Sequence, residues 1–116
     1  DKVDIALQIV KDMKQTHNVE PTLYIYNAII TVCRHARTGS PDDDPAKAMR
    51  VAFETYHEIM NSLGHASPST YHELLHCCAN LLPTSTEEER LKRIVAIEDV
   101  FDRCCTGGMV SQDVLV

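Results

Sequence analysis

Two segments of the chain, 45 residues apart, carry the same pattern of tyrosine, aliphatic and cysteine residues. The patterns are Tyr26-x-x-Ile29-Ile30-x-x-Cys33 and Tyr71-x-x-Leu74-Leu75-x-x-Cys78. In each, the apolar residues recur at i, i+3, i+4 and i+7, the spacing that lines one face of an α-helix. A unit repeated at a period of a few tens of residues buries its apolar face against its neighbours. The repeat therefore predicts stacked helices.

Each segment is followed by a loop and a second apolar stripe with helical spacing. The stripe residues are Met49, Ala52, Phe53, Tyr56 and Met60 after the first segment, and Leu91, Ile94, Ile97, Phe101 and Cys104 after the second. Each unit is therefore expected to be a helix, a loop and a second helix. Because the alternation typical of strands is weak, the predicted class is all-α, a solenoid of helix-turn-helix repeats.

Proline and glycine mark the predicted boundaries of the units. Pro21 and Pro68 precede or begin first helices, Gly64 closes a second helix, and Gly107-Gly108 is a stop. The predicted helices cover about 4–16, 22–36, 44–63 and 68–82, with a last helix that ends near 105. The expected division is a partial repeat at 1–21, full repeats at 22–67 and 68–107, and the start of another at 108–116. We interpret 1–116 as a single helical-repeat segment cut from a longer protein.

The five cysteines occupy apolar helical positions, which is typical of reduced thiols in a core. Neighbouring side chains on a helix point about 100 degrees apart. In each of the pairs Cys77-Cys78 and Cys104-Cys105, one thiol is therefore expected to be buried and the other to lie nearer the surface. No apolar run reaches the roughly 18 residues that a membrane-spanning helix needs, so no membrane contact is predicted.

Three motifs in order resemble the pentatricopeptide repeat family over nearly the whole chain. They are Tyr26-Asn27-x-Ile29-Ile30-x-x-Cys33, a later helix ending Met60-x-x-x-Gly64-x-x-x-Pro68, and then Thr70-Tyr71. The usual unit of that family is shorter than the 45-residue spacing seen here, and the excess falls in an acidic loop between the helices. The tetratricopeptide repeat, also a helix pair, is the rival family, but its tryptophan signature is missing because the chain has no Trp. The resemblance implies a right-handed α-solenoid.

The resemblance also implies that the first helices line a groove for single-stranded RNA, each repeat reading about one base. The residue after the signature tyrosine would contact the base, with others on the same helix face. The implied RNA-binding residues are Tyr24, Asn27, Thr31 and Arg34 in one unit and Ser69, His72 and His76 in the next. Tyr24 is expected to stack on a base and Arg34 to meet a phosphate. The alternative is an ordinary solvated face, with Asn27 a half-buried hydrogen-bonding residue.

The charge of the chain argues against nucleic acid, because its net charge is −6 and its pI about 5.4. The distribution of the charge weakens this argument. Of the 17 acidic residues only Glu73 falls within the two predicted first helices, so the predicted groove is almost free of acids. Burial between helix layers would produce the same depletion, and the observation therefore permits RNA binding without indicating it.

Other chemistry receives little support from the sequence. His72 and His76 have the i, i+4 spacing of metal ligands, but no further pair completes a closed site, so no metal and no cofactor is predicted. Cys77 beside His76 lacks an oxyanion-stabilising turn, and no enzyme activity or small-molecule substrate is expected. The acidic runs 42–44 and 87–89 are interpreted as solvated helix starts.

The leading hypothesis is a non-catalytic module that binds single-stranded RNA. From the resemblance alone, it would act in RNA processing, stability or translation in a mitochondrion or chloroplast. The alternative is a protein-protein interaction scaffold of tetratricopeptide type, in which the same groove takes a peptide or helix and the partner is another protein.

Overall fold

The computed structural model describes residues 2–36 and 44–106, which form five helices and, within those ranges, no strand. The helices are α1 (Lys2–Gln15), α2 (Leu23–Arg34), α3 (Pro45–Leu63), α4 (Pro68–Leu81) and α5 (Glu87–Thr106). The predicted all-α class is confirmed, and the observed helix ends lie within a few residues of the predicted ones. The acidic loop up to residue 43 and the stop at Gly107-Gly108 lie outside the described residues. None of the described helices is long and apolar enough to cross a membrane.

Local sequence signals account for where the helices begin and end. Gly64 closes α3 with a φ of 80°, a left-handed conformation that glycine adopts without strain, and its N–H donates to the Met60 carbonyl over 3.1 Å. Before α5, the Thr86 N–H donates to the Glu89 carboxylate and the Glu89 N–H donates to Thr86 Oγ1, both over 3.1 Å. This reciprocal pair is a capping box, which fixes the start of α5.

The two helices that carry the repeated signature, α2 and α4, pack side by side and form the centre of the fold. The helix α3 packs on both of them, while α1 packs on α2 and α5 on α4. The signature residues Tyr26, Ile29, Ile30, Cys33, Tyr71, Leu74 and Cys78 are buried, and Leu75 is half-buried. The repeated signature is thus the core of the molecule, as predicted.

The second apolar stripes, on α3 and α5, are less buried than the signature residues on α2 and α4. Ala52, Tyr56 and Cys104 are buried, whereas Met60, Leu91 and Ile94 are 37–56 % exposed. The helix α5 packs mainly on α4, and its other sides have few neighbours among the described residues. A side chain is buried only where another surface covers it. The helical spacing of the stripe on α5 therefore does not suffice to bury all of its residues.

The two cysteine pairs behave differently from each other. Cys104 is buried and Cys105 exposed, as predicted, but the prediction for Cys77 and Cys78 is wrong because both are fully buried. The reason is that α4 has helices on several sides, and the Cys77 Sγ lies 3.7 Å from the Ile30 carbonyl of α2. Burial raises the pKa of Cys33 and of Cys78 to about 11. These two thiols therefore stay protonated at neutral pH.

Candidate nucleic-acid interface

A groove of about 370 Å³ runs between α2 and α4. Its lining residues are Tyr24, Asn27, Ala28, Thr31, Ser69 and Glu73. Four of the seven residues that the sequence singled out for RNA binding therefore line one surface, which α2 and α4 form together. Arg34, His72 and His76 lie outside the lining, although Arg34 contacts Glu73 in the groove wall.

Tyr24 supplies the exposed aromatic surface of this groove. Its side chain is 82 % exposed, whereas the other three tyrosines of the chain, Tyr26, Tyr56 and Tyr71, are at most 4 % exposed. A tyrosine ring in contact with solvent can stack on a planar ligand without rearrangement of the core. Tyr24 therefore fits the stacking role that the sequence predicted for it.

Asn27 connects α2 to the start of α4. Its Oδ1 accepts a hydrogen bond of 2.5 Å from the fully buried Thr70 Oγ1, and its Nδ2 donates to Ser67 Oγ over 3.1 Å. Ser67 and Thr70 also bond to each other's backbone N–H groups, forming the capping box of α4. Both ends of the Asn27 amide are thus engaged within the protein. The half-buried hydrogen-bonding role left open by the sequence is the one the structure displays.

Replacing Asn27 by alanine is expected to lower the free energy of unfolding by about 1–3 kcal/mol, because the hydroxyls of Thr70 and Ser67 both lose their hydrogen bonds to the Asn27 amide. Urea denaturation followed by circular dichroism would measure the loss. The matched control is Asn80→Ala, since Asn80 is exposed on α4 and its removal should cost less than about 0.5 kcal/mol. Equal effects of the two substitutions would contradict a bridging role for Asn27.

Thr31 and Arg34 complete the α2 side of the site. Thr31 Oγ1 donates to the Asn27 carbonyl over 3.0 Å, an ordinary bond to the preceding turn of the helix. Arg34 Nη1 lies 2.9 and 3.0 Å from the two carboxylate oxygens of Glu73, across the packing of α2 on α4. Arg34 is therefore already paired with the Glu73 carboxylate, which would compete with the phosphate predicted to bind Arg34.

The histidines lie along α4 beside this ion pair. The ring centroids of His72 and His76 are 4.6 Å apart in an edge-to-face arrangement. Burial lowers the pKa of His76, and the neighbouring Arg34 and His72 lower it further, while Glu73 acts in the opposite direction. His76 is therefore neutral at neutral pH. Within 2–36 and 44–106, no group of three or more His, Cys, Asp or Glu side chains is arranged to hold a metal ion.

The sequence reasoning missed Glu73 as a groove residue, and it missed Ser67 and Thr70 as partners of Asn27. One signal for Glu73 was present. Arg34 is the only Lys or Arg and Glu73 the only Asp or Glu in the two predicted first helices, 22–36 and 68–82. A lone pair of opposite charges on two neighbouring helices is a reason to expect a contact between them.

A second, larger groove of about 690 Å³ is formed by the start of α3 and the end of α4. Its lining is mostly apolar and comprises Asp44, Pro45, Ala46, Met49, Arg50, Phe53, Glu54, His57, Leu81, Leu82 and Pro83. It shares no lining residue with the groove between α2 and α4. The two grooves differ in their lining, since the first includes amide, hydroxyl and carboxylate side chains and the second is mostly apolar.

Comparison with known proteins bears on the repeat itself. No curated protein and no solved structure shows a significant match to the chain. The model of the pentatricopeptide repeat domain matches residues 1–35, a stretch that contains α1, the following turn and α2. This match agrees with the family resemblance inferred from the sequence, and it covers residues 1–35 of an all-helical fold.

Proposed function

We propose that this segment is a non-catalytic module that binds single-stranded RNA in the groove between α2 and α4. The observation that carries the proposal is the convergence of Tyr24, Asn27, Thr31 and Ser69 on one groove with an exposed aromatic ring. The pentatricopeptide match supports it, since repeats of that family generally bind RNA. Helical repeats of this kind read single strands because unpaired bases are accessible to side chains.

Stacking, rather than charge, is the main source of affinity in this proposal. A base stacked on an aromatic side chain contributes about 1–3 kcal/mol, and Tyr24 offers such a face. The exposed Ser69 hydroxyl lies in the same groove and supplies a hydrogen-bonding group for a base edge. His72 and His76 extend the polar surface along α4. Asn27 holds the two helices together so that these groups keep their spacing.

The groove itself carries little net charge, since Arg34 is paired with Glu73. A protein that neutralises few phosphates releases few counterions, so its affinity depends weakly on salt. We therefore expect this segment to contribute selectivity for unpaired bases.

The wider role we propose is organellar. In a mitochondrion or a chloroplast, a module of this kind would act in RNA processing, stability or translation. The support for this part of the proposal is the family match at residues 1–35.

The proposal is tested by fluorescence anisotropy of the chain with a labelled pool of single-stranded RNA. We expect saturable binding to the RNA and none to duplex DNA of the same length, measured at low and moderate salt. Equal binding to duplex DNA would indicate nonspecific attraction, and absence of RNA binding at low salt would refute the proposal.

The second candidate function is a protein-protein interaction scaffold, and the apolar groove of α3 and α4 favours it. Its volume of about 690 Å³ and its lining, which includes Met49, Phe53 and Leu82, suit apolar side chains of a peptide or helix. Absence of RNA binding together with binding of an apolar peptide at this groove would favour the scaffold. RNA binding that depends on Tyr24 would favour the first function.

A further inference from the structure

Arg34 and Glu73 form an isolated pair of opposite charges beside the groove. They are the only Lys, Arg, Asp or Glu residues in α2 and α4. Arg34 Nη1 contacts both carboxylate oxygens of Glu73, and the two side chains remain 24 % and 15 % exposed. The pair is therefore close enough to solvent for an incoming ligand to compete for either member.

The position of Glu73 in the groove indicates that RNA is the ligand that would compete for this ion pair. Glu73 lines the groove together with Tyr24, so its carboxylate lies on the surface where the RNA strand is proposed to run. A phosphate oxygen and a carboxylate oxygen use the same N–H donors of a guanidinium group. The RNA backbone and Glu73 would thus compete for the same nitrogen of Arg34.

Arg34 is also incompletely satisfied in this pairing. Its Nε is buried and, within the described residues, has no hydrogen-bond partner. A guanidinium group has five N–H donors, and Glu73 contacts Nη1. The guanidinium therefore keeps unused donor capacity after pairing with Glu73.

We propose that Glu73 is a built-in competitor for the RNA phosphate, and that its carboxylate on Arg34 restrains the affinity of the groove for single-stranded RNA. This inference rests on the proposed RNA-binding function. The pair keeps the groove electrically neutral in the free protein. An RNA strand that binds Arg34 Nη1 must first displace Glu73, and its phosphates are then repelled by the released carboxylate.

The test is the substitution Glu73→Gln, measured by anisotropy with labelled single-stranded RNA over a series of salt concentrations. The amide keeps the size of the side chain but removes the charge. Because Arg34 is then free to bind a phosphate, the affinity for single-stranded RNA should rise by roughly threefold or more. One added phosphate contact should also steepen the slope of log affinity against log salt by about 0.7. The double variant Arg34→Gln with Glu73→Gln should show neither the gain in affinity nor the steeper salt slope.

The matched control is Glu98→Gln, which makes the same change in net charge at an exposed position of α5. It should leave the affinity and the salt slope close to those of the unchanged protein. If Glu73→Gln and Glu98→Gln have equal effects, only the net charge matters, and the inference is overturned. Thermal unfolding of each variant verifies that the fold is retained.

A second variant keeps the inference testable if Glu73→Gln unfolds. Glu73→Asp retains the charge but shortens the side chain, so contact with Arg34 is weakened and binding should still tighten. If RNA binding requires Tyr24 but is the same in both Glu73 variants as in the unchanged protein, this inference is overturned while the proposed function stands. If the unchanged protein and every variant fail to bind RNA, the proposed function falls and this inference with it.

Discussion

Replacing Ile30 by alanine is expected to lower the free energy of unfolding by about 2–5 kcal/mol, which is the range for deleting a large aliphatic side chain from a core. Ile30 is fully buried in α2, the helix that packs on α1, α3 and α4. The loss of its side chain would leave a cavity in the core around α2. Urea denaturation followed by far-ultraviolet circular dichroism would measure the change.

The control for this substitution is Ile5→Ala, which removes the same atoms from a side chain that is 62 % exposed on α1. Its expected cost is below about 0.5 kcal/mol, because little apolar surface returns to water. A small effect at Ile30 would mean that α2 is not the centre of the core. A large effect at Ile5 would mean that another part of the chain covers α1.

Replacing Tyr24 by alanine is expected to weaken binding of single-stranded RNA by roughly 5- to 150-fold, the equivalent of about 1–3 kcal/mol for one stacked base. Because Tyr24 is 82 % exposed, its removal should leave the fold intact. Loss of affinity with an unchanged unfolding curve would therefore report on the groove alone. Anisotropy titrations at one fixed salt concentration would give the ratio of dissociation constants.

Leu91→Ala provides the matched control, since Leu91 is 56 % exposed and lies on α5, away from the lining of the groove. Its RNA affinity should equal that of the unchanged protein. Tyr24→Phe should retain most of the affinity because the stacking ring is preserved. Equal affinities for Tyr24→Ala and the unchanged protein would rule out stacking at this position.

The helices and the core were predictable because they depend on local patterns. The i, i+3, i+4, i+7 spacing from Tyr26 and Tyr71 marked the faces that became buried, and Gly64 marked the end of α3. The burial of both Cys77 and Cys78 was not predictable from spacing. It depends on how many helices surround α4, which is a property of the assembled fold.

The polar contacts of the site escaped prediction for a related reason. The 45-residue period pairs Asn27 with His72 as equivalent positions, but Asn27 contacts Thr70 and Ser67, which lie two and five residues before the equivalent residue. The period of a repeat shows which residues occupy the same position in two repeats, but not which residues touch. Contact depends on the stagger of one helix against the next, which side-chain packing sets and the period does not reveal.

The unequal exposure of the tyrosines gives this protein its own optical probe. The chain has no tryptophan, so tyrosine dominates its ultraviolet emission, and only Tyr24 among the four tyrosines is open to solvent. A water-soluble quencher such as acrylamide should therefore reduce a single fraction of the emission in the folded state. An occupant of the groove would shield that fraction without any label, so ligands can be screened with the unmodified chain.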